Sequence, residues 1–395
     1  MNRQTFLRAS ALGLASGLWA LALGQRSWAA QSVTSSTESH RLGAAWRREV
    51  SGTGSAQDFV GVLALDWHAK QVRVQTEHAV PSRAHGVLAE SGGGFLVVAA
   101  RPGTWLRRLG ADGEVLQHLD IRGDKAGRTL DGHIMASSDG QWLYTSETSL
   151  ATGEGWISVR DVRTLARQAQ WRTHGRDPHQ CLIDASGALL LVNGGIPRTA
   201  DGKKTNLDQM NSSLVRLDGR TGELLGQWRL NDHRLSMRHL AWSVDSTEKQ
   251  PLLGIALQAE HDDAAQRRAA PVLAVWDGAK LSVPSRDMMA GGYAGDIAPG
   301  PGGGFVLSGQ RVGKGVLWHP DAPEQLFPIA ELKEMCALAT PSATGKDGVQ
   351  NEGVNNEGVL MGSERGVAYW HPRKDPRMLP WPSAMTLDNH WVLLS

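Results

Sequence analysis

Two cysteines, Cys181 and Cys336, are all that 395 residues contain. Two thiols so far apart build no disulfide framework, although in an exported chain they are free to pair with each other. Charge of either sign is not in excess: 41 Lys+Arg stand against 40 Asp+Glu. That balance excludes the basic footprint of a nucleic-acid binder. Beyond residue 29 no apolar run is long enough to span a bilayer. The G-x-S-x-G turn of serve-and-release serine hydrolases does not occur, nor does the GxxxxGK[ST] phosphate loop. Asp201 and Asp208 in DGKKTNLDQ lack the alternating acidic spacing of a calcium loop. Tyrosine (3) and phenylalanine (5) are scarce.

Glycine (46), tryptophan (15) and histidine (14) are there instead. Frequent glycines between short apolar runs indicate an all-β chain rich in turns. The first 29 residues read differently. Arg3 and Arg8 precede the apolar ALGLASGLWALALG, and Ser27-Trp28-Ala29 offers small residues for cleavage. This is the layout of a secretory signal peptide. NRQTFLRAS is twin-arginine-like, with Gln4 where the second arginine belongs. The expected destination is the periplasm. Residues 30–55, rich in Ser and Thr at their start, read as a polar linker, and 56–395 as the fold.

Within the fold a pattern repeats: a polar residue, a short strand, a Gly/Asp/Ser turn, a second strand, then two more. HGVLAESGGGFLVVAARPGTW starts at His85, and HIMASSDGQWLYTSE at His133. HQCLIDASGALLLVNGGI starts at His179, and HLAWSVDSTEKQPLLGIAL at His239. DIAPGPGGGFVLSGQRVG starts at Asp296, and CALATPSATG at Cys336. The starts lie roughly 40–60 residues apart, the period of four-stranded propeller blades with insertions. Strands at 59–66 and 71–75 before the first unit, and HWVLLS (390–395) after the last, supply a seventh. The fold class predicted is all-β, a seven-bladed β-propeller with one blade shared by the two ends.

The repeat aligns the histidines. The first position of each unit reads His85, His133, His179, His239, Asp296, Cys336 and, in the shared unit, His390. Every one is a residue type that ligates transition metals. In a propeller this position lies near one mouth of the central channel. Many propellers use a histidine there to hold a blade together by hydrogen bonds, so one histidine alone marks no site. Five at one repeat position, with Asp and Cys, do mark one. Seven side chains on a ring cannot all reach one ion at bond lengths of ~2.0–2.3 Å, so only some are expected to converge. The second strands end on the same face, at Arg101, Glu147, Asn193 and Gln258, and Arg238 precedes His239. These are candidate ligand-binding groups. His68, His78, His118, His261, His319 and His371 fall in turns or outer strands and read as solvated.

HGVLAESGGGFLVVAARPGTW, YTSETSLATGEGWISVRD, DPHQCLIDASGALLLVNGGIPRT, TNLDQMNSSLVRLD and SMRHLAW resemble the bacterial exported family called domain of unknown function 1513, from about residue 55 onward. The resemblance implies a propeller. It also implies an iron-related role, because members are often encoded beside imelysin-type periplasmic proteins. No catalytic residue carries over. Ala337 stands where the family has glycine, and Asp296 where it has a small residue. Three functions compete. The His-rich mouth binds iron, copper or an iron-containing ligand for an uptake system. The faces serve as a platform for an imelysin-type partner. Or the site is a metal-dependent enzyme, lactonase- or oxidoreductase-like, with Glu147 as base.

Overall fold

A computed structural model describes residues 39–50, 54–244, 251–341 and 358–394. The expected signal peptide, residues 1–29, lies outside the described residues. The described chain forms seven antiparallel four-stranded sheets, each a blade. The first strands of successive blades lie side by side around a common axis. Six blades take their strands consecutively from the chain. Blade 1 takes its innermost strand from the C-terminal end (Thr386–Leu394) and its other three from the N-terminal side. The seven-bladed propeller closed by both ends is therefore observed. Among the described residues the one α-helix is a six-residue turn, Ala264–Ala269, and no helix is long and apolar enough to cross a membrane.

One segment departs from expectation. Residues 39–49, read as linker, form an 11-residue strand, Ser39–Glu49. It pairs with Ala56–Asp66 on one side and Thr386–Leu394 on the other. The reason is the apolar run Leu42-Gly43-Ala44-Ala45-Trp46, buried between blades 7 and 2, whose flanking arginines disguise it. The strand supplies the fourth member that blade 1 lacks in the sequence reading.

Burial follows the radial position of each strand. Second strands such as Phe95–Ala99 and Leu189–Asn193 are buried on both faces, because a neighbouring blade covers each. Outer strands alternate with solvent, as in Val115–Asp120. Packing is distributed accordingly. Seven apolar clusters occur among the described residues, each formed by two adjacent blades. Blades 2 and 3, for example, interlock Leu96, Val98 and Leu106 with Leu130, Ile134 and Leu143. Burying each such leucine contributes roughly 1.5–3 kcal/mol. Cys181 packs into the cluster between blades 3 and 4 and Cys336 into that between blades 7 and 1, so both thiols are free.

Candidate metal centre

The five ring histidines come from five first strands, and each interrupts its strand's ladder. Pairing of the first two strands shifts register between Ala84 and Val87, Leu130 and Ile134, Pro178 and Cys181, and Met237 and Leu240. Those intervals hold His85, His133, His179 and His239. His390 lies in a fifth irregularity, opposite Ala44–Trp46. A bulge re-aims a side chain out of the pleat, here toward the axis. Close approach of the backbones completes the effect. A Cβ on Gly86 would lie 2.3 Å from the Gly132 carbonyl oxygen. One on Gly132, which has φ +92°, would lie 2.9 Å from the His85 ring. Glycine at both positions lets blades 2 and 3 bring His85 and His133 together. Asp296 and Cys336 precede short strands, Ile297–Pro299 and Leu338–Ala339, and sit in no such bulge.

The rings form one group. Centroids are 4.2 Å apart for His133 and His179, 4.5 Å for His239 and His390, and 4.7 Å for His85 and His390. One ring nitrogen each from His85, His133, His239 and His390 lies within 4.8 Å of the other three. His239 Nε2 is 3.0 Å from His390 Nε2 and 3.0 Å from His179 Nε2. Nitrogens sharing a metal at bonds of ~2.1 Å stand about 3.0–3.4 Å apart, which the His239–His390 pair already meets, while the widest separation in the group would have to contract from 4.8 Å. His133 Nε2 is buried without a hydrogen-bond partner. A bare buried ring nitrogen is costly unless something fills its lone pair.

Tautomers follow from the partners. His85 Nδ1 is 3.0 Å from Asp388 Oδ1, and a carboxylate only accepts, so His85 carries its proton on Nδ1 and leaves Nε2 bare. Arg83 holds Asp388 in turn, with Nε 2.5 Å from Oδ2. His179 is set the opposite way. A guanidinium only donates, and Arg101 Nη2 donates to His179 Nδ1. His179 therefore carries its proton on Nε2 and donates to His239 Nε2. His179 adjoins the four-nitrogen group through His239 but is not one of its four members, and the Nε2 proton turns that nitrogen into a donor. Arg101 thus takes the His179 Nδ1 lone pair.

Protonation is also suppressed. Burial, opposed only in part by Asp388, lowers His85 to about 4. Burial and the neighbouring imidazoles hold His133, His179 and His239 well below the usual histidine range. The nitrogens are then bare near neutrality, as metal ligation requires. A stability prediction follows, with its sign. These groups stay neutral in the fold, while the unfolded chain protonates them below about 6.5. Metal-free protein is therefore at full stability above pH 6.5 and loses it on acidification toward pH 4. Each such group contributes a slope of up to ~1.4 kcal/mol per pH unit. Urea unfolding after chelation, at pH 7.5 and 4.5, measures this, and equal midpoints would contradict a buried neutral cluster.

The remaining ring positions do other work. Asp296 Oδ1 accepts from the Ile297 amide and Oδ2 from the Leu338 amide, both at 2.9 Å, tying blade 6 to blade 7. Its oxygens lie 4.0 Å from His239 Nδ1 and 3.7 Å from His390 Nδ1, so it adds negative charge behind the group. Cys336 is outside the group. Its thiol points at the carbonyl oxygens of Asp388 (3.6 Å) and Gly362 (3.9 Å), and burial pushes it up to about 12. A protonated thiol is no ligand.

The second set divides in two. Arg101 and Arg238 meet at Asp177: Arg101 Nη1 donates to Oδ1, and Arg238 Nη1 to Oδ2 at 2.8 Å. Glu147, Asn193 and Gln258 are turned to structural use. Glu147 Oε1 accepts from Arg160 (2.6 Å) and Thr145 (3.0 Å) inside blade 3. Asn193 Nδ2 donates to the Thr173 carbonyl at 2.8 Å, and Gln258 Nε2 to the Ala294 carbonyl at 3.1 Å. Glu147 is therefore spent on a buried ion pair, away from the role of base. Two histidines read as solvated, His261 and His371, are buried as well.

Sequence reasoning overlooked Asp131, Asp177 and Asp388, all buried. The signal was present. Asp131-Gly-His133, Asp177-Pro-His179 and Asp388-Asn-His390 place an aspartate two residues before a ring histidine in three blades. Each serves a partner other than its own histidine: Asp388 holds His85 of the next blade, Asp177 holds Arg101 and Arg238, and Asp131 accepts from Thr148 at 2.5 Å.

Comparison with solved structures agrees on the fold. A hypothetical selenium-binding protein from Sulfolobus tokodaii superposes with TM-score 0.58 at 11% identity, covering 91% of this chain and 94% of that one. Kuenenia stuttgartiensis hydrazine synthase gives 0.56 at 13%, covering 82% and 94%. Virginiamycin B lyase from Staphylococcus aureus gives 0.52 at 9%, covering 79% and 94%. At such identities the likeness is one of fold alone. No curated protein matches the chain. The profile of one family, described as protein of unknown function (DUF1513), matches residues 78–394, which is most of the chain and every ring position. The chain belongs to the DUF1513 family.

Proposed function

We propose that this protein binds one transition-metal ion, copper or iron, through His85, His133, His239 and His390. One observation carries the reading: four ring nitrogens from four blades converge within 4.8 Å. The depressed affinity of His85, His133 and His239 for protons supports it. An all-imidazole set without thiolate or directly bound carboxylate suits copper, iron, nickel or zinc over magnesium or calcium. Asp388 behind His85 is the kind of outer partner that orients a ligating imidazole and raises its basicity. With Glu147 paired to Arg160, no described side chain stands as the expected base, so the reading is a metal-binding protein first.

Export to the periplasm belongs to the same reading and rests on the N-terminal pattern of the sequence. An imelysin-type partner in iron acquisition rests on the family resemblance. The metal claim has a direct test. Protein purified near pH 7.5 without a metal-affinity step is analysed for bound metals, then stripped and titrated with Cu(I), Cu(II), Fe(II) and Zn(II). About one equivalent of copper or iron per chain is expected. Protein that arrives bare and takes up none of these ions would falsify the reading. Zinc held more tightly than copper and iron would overturn the choice of metal.

A further inference from the structure

Beside the histidine group lies a second feature, a cavity of about 250 Å³ where the loops of blades 2, 3 and 4 meet. Arg101, Arg176, Arg198, Asp131 and Asp177 line it, with Thr129 among the neutral groups. Its charges do not balance. Asp177, almost fully buried, is the counterion of three guanidiniums at once: Arg101, Arg198 (Nε to Oδ1, 2.7 Å) and Arg238 (2.8 Å). Glu260, a further carboxylate acting on Arg198, is engaged by Lys204. Even with Asp131 ionised, two carboxylates face three lining guanidiniums, counting exposed Arg176, and Asp177 is shared with a fourth, Arg238. Uncompensated guanidinium charge at this depth is costly, and an anion would relieve it.

We propose that this cavity binds a small hydroxy-carboxylate, with its carboxylate on Arg101 and Arg198 and a hydroxyl on Asp131. The volume has room for a short organic acid. A planar fork of N–H donors matches a carboxylate. The opposite wall explains the hydroxyl. Asp131 Oδ2 accepts from Thr148, which leaves Oδ1 to accept from the ligand. A dianion such as phosphate would bring its second charge against Asp131, whereas a neutral hydroxyl would not. The site is independent of the metal reading, because no ring histidine lines it. It touches that reading at one point, since Arg101 also donates to His179 Nδ1.

Calorimetric titration of the chelator-stripped full chain with lactate, glycerate and gluconate, and with acetate and phosphate for comparison, tests this without any metal. At least one hydroxy acid is expected to saturate the protein, tighter than acetate and phosphate. Arg198→Gln should weaken that binding by about tenfold or more, the loss of one charged contact. Asp131→Asn should shrink the preference over acetate. Should Arg198→Gln melt early, Arg176→Gln, at an exposed position, replaces it, with a several-fold loss expected. No saturation by any hydroxy acid, or equal binding by wild type and the arginine variant, would overturn the site. Phosphate binding tightest would overturn the ligand class.

Discussion

On the proposed metal-binding reading, His239→Ala is expected to abolish metal uptake. Its Nε2 stands 3.0 Å from the nitrogens of two other histidines and is the hub of the group. Affinity for copper or iron should fall by more than about 100-fold, beyond the 10–100-fold cost of removing a supporting partner. His179→Ala is the contrast. Its Nε2 carries a proton that donates to His239 Nε2 in the metal-free protein, a bond the metal would displace, so its loss should cost no more than about tenfold. Competition titration against a chelator of known affinity resolves the two. Equal losses would mean that His179 ligates after all, and that Arg101 does not fix its tautomer. Melting temperatures of the stripped variants separate lost ligation from lost folding.

Asp177→Ala is expected to destabilise the fold by about 3–5 kcal/mol, the range seen when one partner of a buried ion pair is removed. The effect should lie at the top of that range, because three guanidiniums lose one counterion. Surrounding arginines hold the Asp177 carboxyl well below the usual carboxylate range despite its burial, which reports the same interaction from the other side. Urea unfolding near pH 7.5 gives the number. Asp177→Asn keeps the shape and should cost less than alanine. A loss under about 1 kcal/mol for alanine would show that water or a rearranged arginine network compensates.

Much of this molecule was legible from one repeat. His85, His133, His179, His239 and His390 recur at one phase because each lies in the bulge of its blade's innermost strand, and phase survives insertions. The shared blade was legible for the same reason, although Ser39–Glu49 was hidden by polar flanks. Ring membership was less legible. Asp296, Cys336 and the five histidines hold equivalent positions in sequence, yet the histidines sit in bulges and the other two do not. A bulge is a mismatch of two strands, and a single strand's sequence does not display it. Glu147 failed as a rim group because Arg160, on the directly paired strand, claims it.

The amino-acid sequence by itself determined the blade count, the closure and the face on which the histidines gather, because these follow from periodicity and from side-chain alternation along strands. Tertiary structure alone decided the chemistry. Asp388 reaches His85 across 303 residues of chain, and Arg101 of blade 2 sets the proton on His179 of blade 4. Lone-pair direction, proton position and charge balance depend on which blades become neighbours. That is settled when the ring closes.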